Sequence, residues 1–156
     1  MQQKQITNQT QVTELSLPAS GRILALDPGT KRIGFAVCDE LRVTTRPLTV
    51  FTVSSWKKLL SRTLELIAEY DAVALVIGLP LDSDGNDQKM TQIAREMARK
   101  FTLSLQIPVF FQDERVTSYE AKGRLWQRGT DLHQTKSKVD SEAAAIILED
   151  FLSARI

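Results

Sequence analysis

The chain has 156 residues, 42% of them hydrophobic and 25% charged, with a net charge of +1. That size suits one domain around one core, and the near-neutral balance excludes nucleic-acid binding through bulk charge, leaving only a local patch for it. The single cysteine, Cys38, excludes an internal disulfide, no apolar run approaches the ~20 residues that span a bilayer, and the N-terminus lacks a basic and apolar leader. A cytoplasmic protein with no membrane role is expected.

Residues 1–20 are rich in Gln and Thr and lack apolar periodicity. They are expected to form a flexible N-terminal tail ahead of one domain over 21–156. Ile23-Leu24-Ala25-Leu26-Asp27 is a short apolar run closed by Pro28-Gly29-Thr30, which predicts a buried strand ending in a turn. Ile33 to Cys38 predicts a second strand, with Cys38 as a buried core thiol. Asp39-Glu40-Leu41 serves as a hairpin connection to a third strand, about Arg42 to Val50. Pro47 marks an edge or an end there.

Ser54 or Ser55 caps the next predicted helix, where Trp56, Leu59, Leu60, Leu64, Ile67 and Ala68 recur at helical spacing. Ala72 to Ile77 has the β-branched, apolar character of a central strand covered on both faces. A second helix carries Met90, Ile93, Ala94, Met97, Ala98 and Phe101. Val109-Phe110-Phe111 forms a further strand ending at Gln112-Asp113-Glu114-Arg115. Thr117-Ser118-Tyr119-Glu120 is a capping box that opens a third helix. Ser137-Lys138-Val139-Asp140 opens the last one, with Ala143, Ala144, Ile147 and Phe151 on its apolar face.

Short connections imply antiparallel pairing, and helical crossovers imply parallel pairing. The expected fold is therefore α/β: a mixed five-stranded sheet, three antiparallel strands followed by parallel ones, flanked by helices. In such sheets ligands gather at the carboxyl ends of the parallel strands.

Asp27 and Glu114 both fall at strand ends of that kind, and Asp140 falls in the first turn of the last predicted helix. Three carboxylates on one edge suit hard cations such as Mg²⁺ or Mn²⁺. Two such ions roughly 4 Å apart activate water and stabilise the leaving oxygen in phosphodiester cleavage. One histidine and one cysteine are too few for a standard zinc site. Each acid also has a local explanation. Asp27 can set the Pro-Gly turn, Glu114 can pair with Arg115, and Asp140 can complete a capping box with Ser137.

Four motifs carry a family resemblance. Leu26-Asp27-Pro28-Gly29-Thr30-Lys31-Arg32-Ile33-Gly34 is followed by Val76-Ile77-Gly78-Leu79-Pro80-Leu81 with Asp84-Gly85. Asp113-Glu114-Arg115 and then Val139-Asp140-Ser141-Glu142-Ala143-Ala144 complete the set. In this order they resemble the Holliday-junction-resolvase-like family, whose members are described as pre-16S rRNA processing nucleases. The resemblance covers about Gly21 to Leu152. It implies a ribonuclease H-like fold and a divalent-metal nuclease that matures the 5′ end of 16S rRNA, with Asp27, Glu114 and Asp140 as catalytic, metal-binding acids. Asp113 is the rival to Glu114 within its motif. Ser141-Glu142 departs from the family pattern, as does the loop after Asp84-Gly85.

Lys31, Arg32 and Arg115 lie beside these acids and are expected to hold substrate phosphates. The segment 114–138 has six bases against three acids, a modest positive patch suited to a polyanion. The expected partner is a structured nucleic acid, pre-16S rRNA or a ribosomal particle. A branched DNA junction is an alternative substrate, for which a symmetric dimer would serve; oligomeric state is open. Two further readings remain. Asp27-Pro28-Gly29-Thr30 also resembles the phosphate motif of the actin and sugar-kinase superfamily, but that fold needs two lobes and this chain has room for one. A non-catalytic RNA- or ribosome-binding factor would keep the fold with structural acids.

Overall fold

The computed structural model describes residues 17–114 and 132–155, the side chains of 132–141 excepted. Six strands and three helices fall within them: β1 (Ile23–Asp27), β2 (Arg32–Cys38), β3 (Thr45–Pro47), β4 (Phe51–Thr52), α1 (Trp56–Tyr70), β5 (Ala74–Leu79), α2 (Lys89–Ser104), β6 (Val109–Asp113) and α3 (Leu132–Ser153). The sheet order is β3-β2-β1-β5-β6, with β4 paired to the start of β2. β1 runs antiparallel to β2 and parallel to β5, and β5 runs parallel to β6. The mixed α/β sheet flanked by helices is thus as expected.

Both faces of the sheet are covered, and the period-2 alternation of the strands divides the core accordingly. Leu24, Leu26, Phe35, Leu75 and Ile77 face α1 and α2, meeting Leu59, Leu66, Ala98 and Phe101. Ile23, Ala25, Ala36, Val76 and Phe110 face α3, meeting Ala144, Ile147, Leu148 and Phe151. All six residues of β5 are buried, which explains its unbroken apolar run. Ser55 caps α1, its hydroxyl accepting the Lys58 N–H at 3.2 Å. Gln88 and Thr91 form a reciprocal capping box at the start of α2.

Two expectations are corrected, and two fall largely outside the described residues. The single third strand expected over about 42–50 is instead a turn followed by two short strands, so the sheet has six strands. Asp39 Oδ1 accepts the N–H groups of Val43 and Thr44 at 2.7 and 2.8 Å, and Arg42 takes a left-handed conformation (φ 61°). That turn consumes residues 39–44, and Pro47, which has no N–H to give, ends β3. The last helix begins by Leu132 and not at Ser137. Asp140 therefore lies more than two turns inside α3 and is no capping-box partner; nothing in 132–137 is a helix breaker. The helix expected from Thr117, and all but the last residues of the expected tail, lie outside the described residues.

The tail's last residues are anchored. Leu17 packs on the α3 face of the core. The Arg42 guanidinium donates to the carbonyls of Gly21 and Pro18 at 2.8 and 2.9 Å.

Candidate active site

The carboxyl ends of β1, β5 and β6 lie side by side. Leu26 pairs with Ile77 across β1 and β5, so Asp27 stands across from Gly78, and Gly78 in turn pairs with Gln112 of β6. Glu114 continues β6 by one ladder bond, its N–H donating to the Leu79 carbonyl at 3.2 Å. Ala25, Val76 and Phe110 all face α3. By alternation Asp27, Gly78, Gln112 and Glu114 face that side as well. Asp113 falls on the other face, with Val109 and Phe111.

The two acids meet across the gap between their strands. Glu114 is half-buried, and its carboxyl is pushed up to about 10. Burial is the largest cause. The Asp27 charge follows, then a hydrogen bond to Asp27, then the Asp113 charge. All four disfavour a second negative charge. At neutral pH Glu114 therefore holds a proton and donates it to the Asp27 carboxylate. Two carboxyls sharing one proton are a site where a divalent cation would take the proton's place, and an all-oxygen donor set fits Mg²⁺ or Mn²⁺.

The backbone of Asp140 lies on α3. Ile147 meets the sheet at Gly78, while Phe151, one turn later, lies tilted against Phe110, ring centroids 5.5 Å apart, lower on β6. The helix thus runs down from the carboxyl edge, and the backbone of Asp140 lies two turns above Ile147, toward that edge. Among the described residues no group of three His, Cys, Asp or Glu side chains is gathered closely enough to hold a metal ion. The meeting that is described is that of Asp27 and Glu114.

Lys31 is exposed on the turn between β1 and β2, and Arg32 opens β2, half-buried. The turn is tight: a Cβ on Gly29 would sit 2.3 Å from the Arg32 carbonyl oxygen, which accounts for this glycine without a ligand. Arg115 lies outside the described residues. Glu142 is buried, 5% exposed. Cys38 is buried at the far end of β2, where Ile23 N–H donates to its sulfur at 3.2 Å and burial pushes the thiol up. Sequence reasoning did not single out Gly78 or Ile147 for this site. The one available signal was a lone glycine inside an otherwise apolar strand, a mark of close approach by another group.

The sequence profile described as "RuvX: Holliday junction resolvase" matches residues 21–154. A relative from Anaeromyxobacter sp. (strain K), named "Putative pre-16S rRNA nuclease", is 38% identical over 134 residues, covering 86% of this chain and 98% of its own length. One of the same name from Rickettsia bellii (strain OSU 85-389) is 33% identical over 149 residues, covering 96% of each. Among solved structures, T. thermophilus RuvC in complex with a Holliday junction substrate superposes with a TM-score of 0.55 at 18% identity, over 86% of this chain and 95% of that one. Fowlpox virus resolvase with its junction DNA gives 0.51 at 14% identity, over 86% and 99%. The fold is that of the RuvC-like, ribonuclease H-like proteins.

Proposed function

The chain belongs to the RuvX Holliday junction resolvase family, and from that premise we propose that it is a divalent-metal-dependent nuclease that hydrolyses phosphodiester bonds in the 5′-end maturation of pre-16S rRNA. The observation that carries this reading is the contact of the Asp27 and Glu114 carboxyls at the carboxyl edge of the parallel strands. Asp27, Glu114 and Asp140 would hold the ion. Bound there, it supplies the positive charge that activates a water and steadies the leaving oxygen.

The chain's own residues do the rest. Asp27 is fixed by the last pairing of β1 with β2, opposite Gly34. Glu114 gives up its proton when the site is loaded, which ties loading to pH. Lys31 and Arg32, on the adjoining turn, meet flanking phosphates, with Arg115 following Glu114 in the same role. The substrate is a structured nucleic acid, pre-16S rRNA free or within a ribosomal particle. No helix among the described residues is long and apolar enough to cross a membrane. Action in the cytoplasm, where rRNA is matured, belongs to the same proposal.

The test is cleavage of an RNA spanning the 5′ end of mature 16S rRNA, with Mg²⁺ or Mn²⁺ and with chelator, comparing wild type with Asp27→Asn. Metal-dependent cutting that the substitution abolishes, in a protein that still folds, is expected. Full activity of Asp27→Asn would sink the assignment. Cutting of a branched DNA and not of this RNA would make the protein a junction resolvase. RNA binding without turnover would make it a binding factor.

A further inference from the structure

Asp27 and Glu114 sit on strands that are not neighbours. β5 runs between β1 and β6, so their backbones lie about 10 Å apart. For the carboxyls to meet, one side chain must cross over β5, and the residue it crosses is Gly78. A Cβ placed on Gly78 would lie 3.0 Å from the Glu114 carboxyl carbon and 3.0 Å from its Oε1. On its other side it would lie 2.6 Å from Cδ1 of Ile147, which is fully buried in α3. The space over Gly78 is thus filled from two directions, by the Glu114 carboxyl and by the tip of Ile147.

We infer that Gly78 is a positioning residue of this site: its missing side chain is the gap through which the Glu114 carboxyl reaches Asp27, with Ile147 walling the gap on the helix side. The inference rests on reading the paired acids as a metal centre, and it deepens that reading. Any side chain at 78 acts on two things at once. It pushes the Glu114 carboxyl off its place, because carbon atoms rest about 3.5–4.0 Å apart and 3.0 Å requires a shift of roughly 0.5 Å or more. It also presses on the buried Cδ1 tip of Ile147, which has to swing aside or carry α3 with it, and Asp140 rides on the same helix. A binding constellation has to be held within about 0.5 Å of its productive geometry, so the first effect alone should be felt. Glu114 is the end of a flexible side chain, so it yields before the fold does.

Two variants separate these effects. Gly78→Ala meets both neighbours. Gly78→Ala combined with Ile147→Val deletes the atom at 2.6 Å and relieves the helix, but keeps the overlap with Glu114. Three readouts apply: melting temperature, Mn²⁺ affinity by calorimetry, and the metal-free crystal structure. Gly78→Ala is expected to melt lower and to bind Mn²⁺ at least tenfold more weakly, with the Glu114 carboxyl carbon displaced by about 0.5 Å or more. The double variant is expected to recover melting temperature while its Mn²⁺ affinity and its displaced Glu114 do not recover, a split that a merely structural glycine would not produce. Wild-type Mn²⁺ affinity in Gly78→Ala overturns the inference, as does recovery of affinity together with melting temperature in the double variant. If wild type itself fails to bind Mn²⁺, the metal reading falls. The position of Glu114 in the metal-free Gly78→Ala crystal still decides the inference: an unmoved carboxyl refutes it.

Discussion

Replacing Glu114 with Gln should change how stability depends on pH, and the structure gives the sign. In the folded chain the Glu114 carboxyl is pushed up to about 10, by burial first and then by Asp27 and Asp113. In the unfolded chain it returns to an ordinary value near 4.5. Between those values the folded state holds a proton that the unfolded state has released. Stability from this group is therefore full below about pH 4.5 and declines as pH rises toward 10. The slope is at most about 1.4 kcal/mol per pH unit, so from about pH 5.5 to 8.5 the metal-free protein loses up to roughly 4 kcal/mol through this residue. Gln resembles the protonated acid: its amide donates to Asp27 and does not titrate. Urea unfolding in chelator should find the two proteins equally stable at the acid end, with the variant pulling ahead as pH rises. Asp27→Asn removes two of the four causes but leaves burial, so its slope should be shallower than wild type and not flat. Saturating Mg²⁺ should reverse the wild-type trend, because the ion takes the proton's place and binds better at high pH. A constant difference between wild type and Glu114→Gln across the range would refute the shared proton, and with it the electrostatics assigned to the site.

Other substitutions separate the site from the scaffold. Gly29→Ala puts a Cβ 2.3 Å from the Arg32 carbonyl oxygen, which should cost about 1–3 kcal/mol by forced rearrangement and, two residues from Asp27, slow cleavage as well; melting and single-turnover assays read the two. Arg42→Ala loses the charge-assisted bonds to Gly21 and Pro18, about 2 kcal/mol in urea unfolding, with cleavage per folded molecule unchanged because that turn lies at the far end of β2. Ser55→Ala loses the cap on α1, about 1 kcal/mol, again without effect on Mn²⁺ affinity.

The strand ends were legible in the sequence because buried apolar runs stop at acids: Leu26 is followed by Asp27, and Phe111 by Gln112, Asp113 and Glu114. Which of the last two acids joins Asp27 was not legible. Phe110 and Phe111 are both apolar because β6 is covered on both faces, and a strand buried on both sides carries no alternation from which to read its phase. The depth of Asp140 in α3 was lost for a similar reason. Residues 132–137 tolerate a helix, so the apolar face that begins at Ala143 did not mark where the helix starts. The place of Gly78 depends on something further from the sequence, the order of strands across the sheet. In the chain β5 comes between β1 and β6, but only the sheet order makes it the strand that Glu114 must cross. Once that order is known, a meeting of acids across roughly 10 Å of sheet demands a residue without a side chain in the middle position. The glycine in the fully buried β5 is then a consequence of topology.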